Sequence, residues 1–165
     1  SFGSSMKKVV AVALVAFVLA MGTTMNAQSP DKQFGIGGVV GGVSAAQIQY
    51  AISPAFHLGA FLGLQIQGST QLVFGPYGKF IFAGSKELKP FVFANLMISS
   101  TSTGGTNSVS STSTGLNFGA GAEYFITPNF GFWAGITVLS LPLSPSGQDV
   151  GFGILAPSIG GEWFF

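Results

Sequence analysis

Charged residues are scarce in this 165-residue chain, because Asp, Glu, Lys and Arg together make up 7% of it, against about 25% in a soluble globular domain. So few solvating side chains cannot coat a water-facing surface, which disfavours a soluble enzyme. Arginine is absent and lysine is sparse, so the chain lacks the basic patch that nucleic-acid binding requires. Cysteine is also absent, which excludes disulfide bonds and an acylated lipoprotein anchor.

The beginning of the chain has the pattern of an export signal. Lys7 and Lys8 form a short basic start, and the uncharged apolar run 9–21 follows them, as in a secretory signal peptide. This run is shorter than the ~20 residues that a transmembrane helix needs. We therefore predict that a leader, 1–27, is removed and that 28–165 form the mature domain. An earlier cleavage site and an uncleaved membrane anchor are the alternatives.

Segments of alternating residues follow the leader. Turn signals divide 28–165 into eight runs of about 8–14 residues, which is the spacing of a β-meander. In 56–67 the even positions are apolar and the odd ones are largely small or polar, and 115–126 repeats this pattern. A two-residue period places one set on each face of a sheet. A helix would need apolar residues three and four apart, and fewer glycines.

The scarcity of charge decides which kind of barrel these strands form. A soluble lipocalin-like barrel would show water a nearly uncharged outer wall, whereas a membrane barrel turns its apolar face to lipid. We therefore predict an all-β fold, an eight-stranded antiparallel up-and-down transmembrane β-barrel. Tight turns near 53–54, 84–89 and 127–129 fit the periplasmic side. The breaks at 99–114 and 140–148 are predicted to be external, and the first, rich in Ser, Thr and Gly, is predicted to be a flexible loop.

The last predicted strand departs from the alternation. Phe152 and Ile154 fall on the parity that points inward elsewhere in this strand, although both are large and apolar. A β-bulge near Ala156 and Pro157 would return them to the lipid-facing side.

Four titratable side chains fall on inward positions near the periplasmic ends of their strands, namely His57, Lys79, Glu123 and Glu162. An eight-stranded barrel is only wide enough for side chains to fill, and isolated buried charges are costly. We therefore predict one polar cluster, with the lysine between the two glutamates and the histidine at its edge. Inward aromatic residues beside glycines predict a filled interior rather than a pore. A structural plug is favoured over a proton-linked gate or a catalytic group.

The C-terminal residues resemble a targeting signal. Ser158, Gly160, Trp163 and Phe165 occupy the positions of the polar residue, the glycine and the alternating aromatic residues that end bacterial outer-membrane barrels. Together with the eight-strand pattern, they make the chain resemble the small outer-membrane β-barrel family, similar to the barrel of outer-membrane protein A and to outer-membrane protein X. This resemblance implies a bacterial outer-membrane location. It also implies outer-membrane lipid, the barrel assembly machinery and periplasmic export chaperones as partners, with no nucleic acid.

No catalytic, metal or cofactor site is predicted. Small barrels that resemble the lipid A deacylases carry a Ser/His/Glu arrangement on the outer wall, whereas His57, the only histidine, has inward parity at the opposite end. One histidine, no cysteine and scattered acids do not make a metal site. We therefore predict a non-enzymatic protein without cofactors.

The function remains open between two main hypotheses. The first is a structural role or a surface interaction through the external loops, with an unidentified surface ligand and a side-chain-filled lumen. The alternative is a narrow transporter or channel for small or apolar solutes. A lipid-modifying enzyme is the third and least favoured hypothesis.

Overall fold

The computed structural model describes residues 33–41, 43–83, 85, 87–105 and 107–165. The predicted leader lies outside the described residues. Eight antiparallel strands follow one another around a closed barrel, which confirms the predicted fold class. Along these ranges no helix is long and apolar enough to cross a membrane. The strands are β1 (Phe34–Gly41), β2 (Ala45–Ser53), β3 (Phe56–Gln67), β4 (Ser69–Ile81), β5 (Leu88–Thr103), β6 (Ser110–Thr127), β7 (Phe130–Ser144) and β8 (Gly151–Phe164).

The barrel closes where the last strand pairs with the first. β8 runs antiparallel to β1, from Phe164 opposite Gly35 to Ser158 opposite Gly41. We call the end that holds Phe164 and the β2–β3, β4–β5 and β6–β7 turns the periplasmic end, and the opposite end the external end, following the predicted orientation. Closure pairs the backbone groups of the first and last strands with each other, which is what a membrane-spanning sheet requires.

The outer face of the barrel is apolar, and its buried ionisable side chains point inward. Leu62 and Ile66, on the outer face of β3, are 58% and 70% exposed. On the inner face of the same strand His57 is fully buried, and so is Glu123 of β6. A soluble barrel has the opposite arrangement, so this outer wall is suited to lipid.

Large inward rings pack over glycines of the neighbouring strand. Tyr77 stands opposite Gly59, and Trp133 stands opposite Gly160. A Cβ atom would lie 2.4 Å from the tyrosine ring at the first glycine and 2.5 Å from the indole at the second. Only glycine leaves room for these rings, so large and small residues together fill the narrow interior.

The prediction of a long external loop at 99–114 is wrong. β5 continues to Thr103 and β6 begins at Ser110, and the two strands stay paired from Ser99 opposite Ser113 to Ser102 opposite Ser110. The error arises because an alternation of apolar and polar residues cannot be read where both faces of a hairpin are polar, even though threonine favours strands. For the same reason the break predicted at 140–148 begins too early, since β7 continues to Ser144.

The irregularity predicted in the last strand is present. The ladder between β7 and β8 shifts register between Thr137, which pairs with Ala156, and Leu139, which pairs with Phe152. Phe152 and Ile154 are 83% and 78% exposed, whereas Ala156 lines the lumen. The shift therefore returns the two large apolar residues to the outer face.

Candidate functional site

A buried ion cluster occupies the periplasmic third of the lumen. Lys79 of β4 places its Nζ 3.0 Å from Oε2 of Glu162 on β8 and 3.5 Å from Oε2 of Glu123 on β6. All three side chains are at most 4% exposed. The short periplasmic turns hold the ends of these strands at one depth, so three strands bring their charges together across the barrel.

Two glutamines of β2 complete this cluster. Nε2 of Gln47 donates a hydrogen bond to Oε1 of Glu162 at 2.6 Å, and Nε2 of Gln49 donates to Oε2 at 2.5 Å. The hydroxyl of Tyr77 donates to Oε1 of Gln49 at 3.3 Å. Charge alone did not identify these residues, but the inward parity of both glutamines in β2 is a signal that could have done so. Glu162 is thus held by one cation and two amides.

His57 is brought close to the cluster but is not hydrogen-bonded to it. Its side chain is fully buried, it stands opposite Lys79 in the β3–β4 ladder, and its ring lies edge-on to Phe164 at 6.1 Å between centroids. Within the described residues neither ring nitrogen has a hydrogen-bond partner, and the same holds for Oε1 of Glu123. The histidine therefore packs as part of the apolar seal rather than as a member of the ion network.

Apolar and cationic side chains seal the lumen at the periplasmic end. Phe164 is fully buried and stacks at an angle on Phe125, with 5.9 Å between centroids. Lys79 Nζ lies 5.1 Å from the centre of the Phe91 ring, and Lys89 Nζ lies 4.8 Å from that of Phe125. These contacts have the geometry of cation–π interactions. We call this seal, together with the ion cluster and its glutamines, the lumen floor.

A cavity of about 380 Å³ lies above the lumen floor. Three polar side chains in its wall are paired with each other, since Nδ2 of Asn117 donates to Oδ1 of Asn95 at 3.0 Å and the Ser140 hydroxyl donates to Oδ1 of Asn117 at 2.7 Å. Nε1 of Trp133, which also lines the cavity, has no hydrogen-bond partner among the described residues. Lys79 and Glu162 of the lumen floor also line the cavity, and most of the remaining wall is apolar. Among the lining residues are Val39, Val43, Ala45, Phe61, Val73, Phe93, Met97, Leu155 and Ala156.

The geometry offers no arrangement for covalent catalysis around the single histidine. His57 lies buried in the floor with no serine hydroxyl bonded to either ring nitrogen, whereas a nucleophilic triad needs such a bond. In the part of the chain that the structure covers, no group of three His, Cys, Asp or Glu side chains is placed to hold a metal ion.

The residues that resemble a C-terminal targeting signal lie on both faces of β8. Ser158 lines the cavity and Gly160 lies under the ring of Trp133. Trp163 and Phe165 are exposed on the outer wall. The first packs on Phe130 at 5.9 Å, and the second stacks on Phe34 at 5.8 Å. These positions describe the folded barrel, and the role of the segment in assembly stays a prediction.

This chain forms a closed eight-stranded antiparallel barrel with an apolar outer wall. That is the fold of the small outer-membrane β-barrels. No protein-family model and no curated protein matches the sequence. Solved structures do resemble the fold. The N-terminal barrel domain of Pseudomonas aeruginosa OprF matches with a TM-score of 0.64 and 18% identity, over 81% of this chain and 96% of that one.

Two further structures extend this likeness. Neisserial surface protein A matches with a TM-score of 0.52 and 17% identity, over 81% of this chain and 95% of that one. Ail of Yersinia pestis, in complex with the heparin analogue sucrose octasulfate, matches with a TM-score of 0.51 and 12% identity, over 81% and 94% of the two chains. At these identities the likeness shows the fold, the eight-stranded outer-membrane barrel.

Proposed function

We propose that this chain is a non-enzymatic barrel of the bacterial outer membrane that does not conduct ions or solutes from end to end. The observation that carries the proposal is the lumen floor, in which Lys79, Glu123 and Glu162 pair across the barrel beneath the cavity. An eight-stranded barrel is only wide enough for side chains to fill, and pairing offsets the cost of burying the charges. Both support a lumen without a continuous water path. A structural or surface role fits such a barrel.

The composition of the external rim favours a surface partner without net charge. The described residues of the rim carry no lysine, and Asp149 is their only acid, so a polyanion such as the one bound to Ail would find no cation there. The rim instead presents the exposed hydroxyl-rich ends of β5 and β6, including Thr103 and Ser110. A partner for these strands would be recognised through hydrogen bonds rather than ion pairs.

Export and assembly form part of the same proposal. The leader 1–27 would direct secretion, and periplasmic chaperones would carry the unfolded chain. The segment from Ser158 to Phe165 would then be read by the barrel assembly machinery. The exposed aromatic side chains of Trp163 and Phe165 support this, because they leave an apolar edge for a receptor before β8 closes against β1.

Planar-bilayer recordings on the purified barrel test the proposal. We expect no steady current steps, while an outer-membrane porin in the same bilayer conducts. Steady and reproducible steps would overturn it and would favour the second candidate, a narrow transporter of small or apolar solutes. The 380 Å³ cavity favours that candidate, and swelling of proteoliposomes in small sugars reports on solute uptake directly.

A further inference from the structure

The β1–β2 hairpin extends least far toward the external end, so the wall of the barrel is lowest there. The last described pairs of this hairpin at the external end are Val39 with Ala45 within it and Ala45 with Gly63 of β3. On the other side, the last described pair between β1 and β8 joins Gly41 to Ser158. Elsewhere the ladders continue further, for example to Ser102 opposite Ser110 between β5 and β6.

The two strands beside this hairpin, β3 and β8, extend further toward the external end, and there their described residues have no ladder partner on the side of the hairpin. β3 continues to Gln67, and β8 extends from Pro157 up to Gly151. Among the described residues these two stretches have no ladder partner across the gap. The gap spans the width of two strands, and its backbone edges stand about 14 Å apart, which is three inter-strand spacings. We call it the notch.

Both edges of the notch present apolar side chains to the outside. Leu64 and Ile66 are exposed on the β3 edge, and Phe152 and Ile154 are exposed on the β8 edge. Open sheet edges do not occur in the hydrocarbon region, because their backbone groups would stay unsatisfied. The notch therefore lies at the boundary between the outer-leaflet acyl chains and the polar headgroups, where apolar side chains and hydrated backbone can coexist.

The lumen cavity lies directly behind the notch. Val39, Val43 and Ala45 of the hairpin line the cavity, and so do Leu155 and Ala156 of the β8 edge. The volume of about 380 Å³ falls in the range of about 300–1,000 Å³ that is usual for ligand pockets. Its wall is mainly apolar, and the paired ions Lys79 and Glu162 border it on the side of the lumen floor. Mainly apolar pockets with a few polar groups are typical binding sites for apolar or amphiphilic ligands.

A polar side chain stands beside the same opening. Gln65 lies on the inward face of the β3 edge, opposite Gln71 in the β3–β4 ladder, and Gln71 donates a hydrogen bond to the Ser99 hydroxyl at 2.8 Å. The Gln65–Gln71 pair lies two residues further toward the external end than the pair of Gly63 with Val73, and Val73 lines the cavity. We infer that these amides lie at the mouth, with mainly apolar side chains below them. An amphiphile with one alkyl chain matches both parts of this site.

We propose that the lumen cavity binds a single unbranched alkyl chain, admitted from the outer leaflet through the notch, while the polar end of the molecule stays at the amide-lined mouth. This site goes beyond the proposed function, because a barrel closed by its floor can hold a ligand without passing it to the periplasmic side. The alkyl chain comes either from a free fatty acid or from a membrane lipid, and the two sources are distinguished by separate probes.

Photo-crosslinking of the full barrel in phosphatidylcholine vesicles tests the site. One probe is dodecanoic acid with a terminal diazirine, and the other is a phosphatidylcholine with a diazirine in one acyl chain. Peptide mass spectrometry then maps the adducts. We expect at least one probe to label inward residues such as Phe93 and Met97, in addition to the outward residues that any lipid probe reaches. Labelling confined to outward residues with both probes would overturn the proposal.

Ala45→Phe and Ala46→Phe form a matched pair for the same measurement. The first substitution fills the cavity at the notch, whereas the second adds the same ring to the outer face of the same strand. We expect Ala45→Phe to lower inward labelling about tenfold and Ala46→Phe to leave it unchanged. A gel shift on heating reports that each barrel is folded, and Ala156→Leu replaces Ala45→Phe if the latter does not fold. Inward labelling that survives in a folded cavity-filling variant would contradict the proposal.

Discussion

Lys79 compensates two buried carboxylates that lie on two other strands. Its Nζ lies 3.0 Å from Glu162 and 3.5 Å from Glu123. The amides of Gln47 and Gln49 take up part of the charge of Glu162, but Glu123 has no such support among the described residues. The cation is therefore the contact that links β6 and β8 through the lumen.

Lys79→Met should destabilise the barrel by about 3–5 kcal/mol, because it leaves buried carboxylates without their cation. Replacing the whole cluster by neutral groups, with Glu123→Gln and Glu162→Gln added to Lys79→Met, should restore most of that free energy of unfolding. Urea unfolding in lipid vesicles measures both. If the single and the triple variant lose the same stability, the pairing of charges is not what stabilises the floor.

At the scale of the element, the β5–β6 hairpin stays paired beyond the point where its apolar residues end. In its lower part β5 is largely apolar on both faces and β6 alternates apolar with small residues. The pairs from Ser99 opposite Ser113 onward are polar on both faces. Backbone pairing continues because the neighbouring strands β4 and β7 supply further ladders, up to Thr103 opposite Ser69 and Thr114 opposite Ser144. The strand is thus maintained by its neighbours and not by its own pattern.

Replacing 104–108 by the dipeptide Asn-Gly should leave the barrel folded, with a change in stability within about 0.5 kcal/mol. The described residues of this stretch are exposed, exposed residues contribute little, and Asn-Gly favours a two-residue hairpin turn. The closing contact, in which the Thr103 amide donates to the Val109 carbonyl oxygen at 3.0 Å, is kept. Removal of 99–103 and 110–114 as well should cost clearly more, since those residues are paired. Heat-modifiability and urea unfolding compare the two, and equal losses would contradict the paired hairpin.

At the scale of the whole molecule, the distribution of charge indicates that lipid rather than water surrounds the outer wall. The described outer wall is apolar around the barrel, whereas Lys79, Glu123 and Glu162 are turned inward. The same distribution sets the depth of the notch in the bilayer, because Leu64 and Ile66 rise to the external end of β3. The apolar outer wall therefore determines both where lipid surrounds the barrel and at what depth the notch opens to a ligand.

Leu62→Arg should destabilise the barrel by about 2–4 kcal/mol, because the residue lies near the middle of the lipid-facing span, whereas Ile66→Arg should cost only about 0–1 kcal/mol near the interface. Both residues belong to the same outer row of β3, so each serves as the control for the other. Urea unfolding from vesicles gives the two free energies. Equal costs would show that the notch lies deeper in the hydrocarbon than its open edges allow.

The sequence by itself determined the number of strands, their inward and outward faces and the irregularity in β8, because a two-residue period and an almost chargeless wall are local properties of the chain. It also indicated that Lys79, Glu123 and Glu162 share one depth, since each lies near a periplasmic turn or the C-terminus. Only the tertiary structure decided the partners: the amides of Gln47 and Gln49 on Glu162, the isolation of His57 from the ion network, the continued pairing of 99–102 with 110–113 and the low wall at β1–β2. These depend on which strands become neighbours and how far their ladders run, and register between distant strands is set by closure of the barrel.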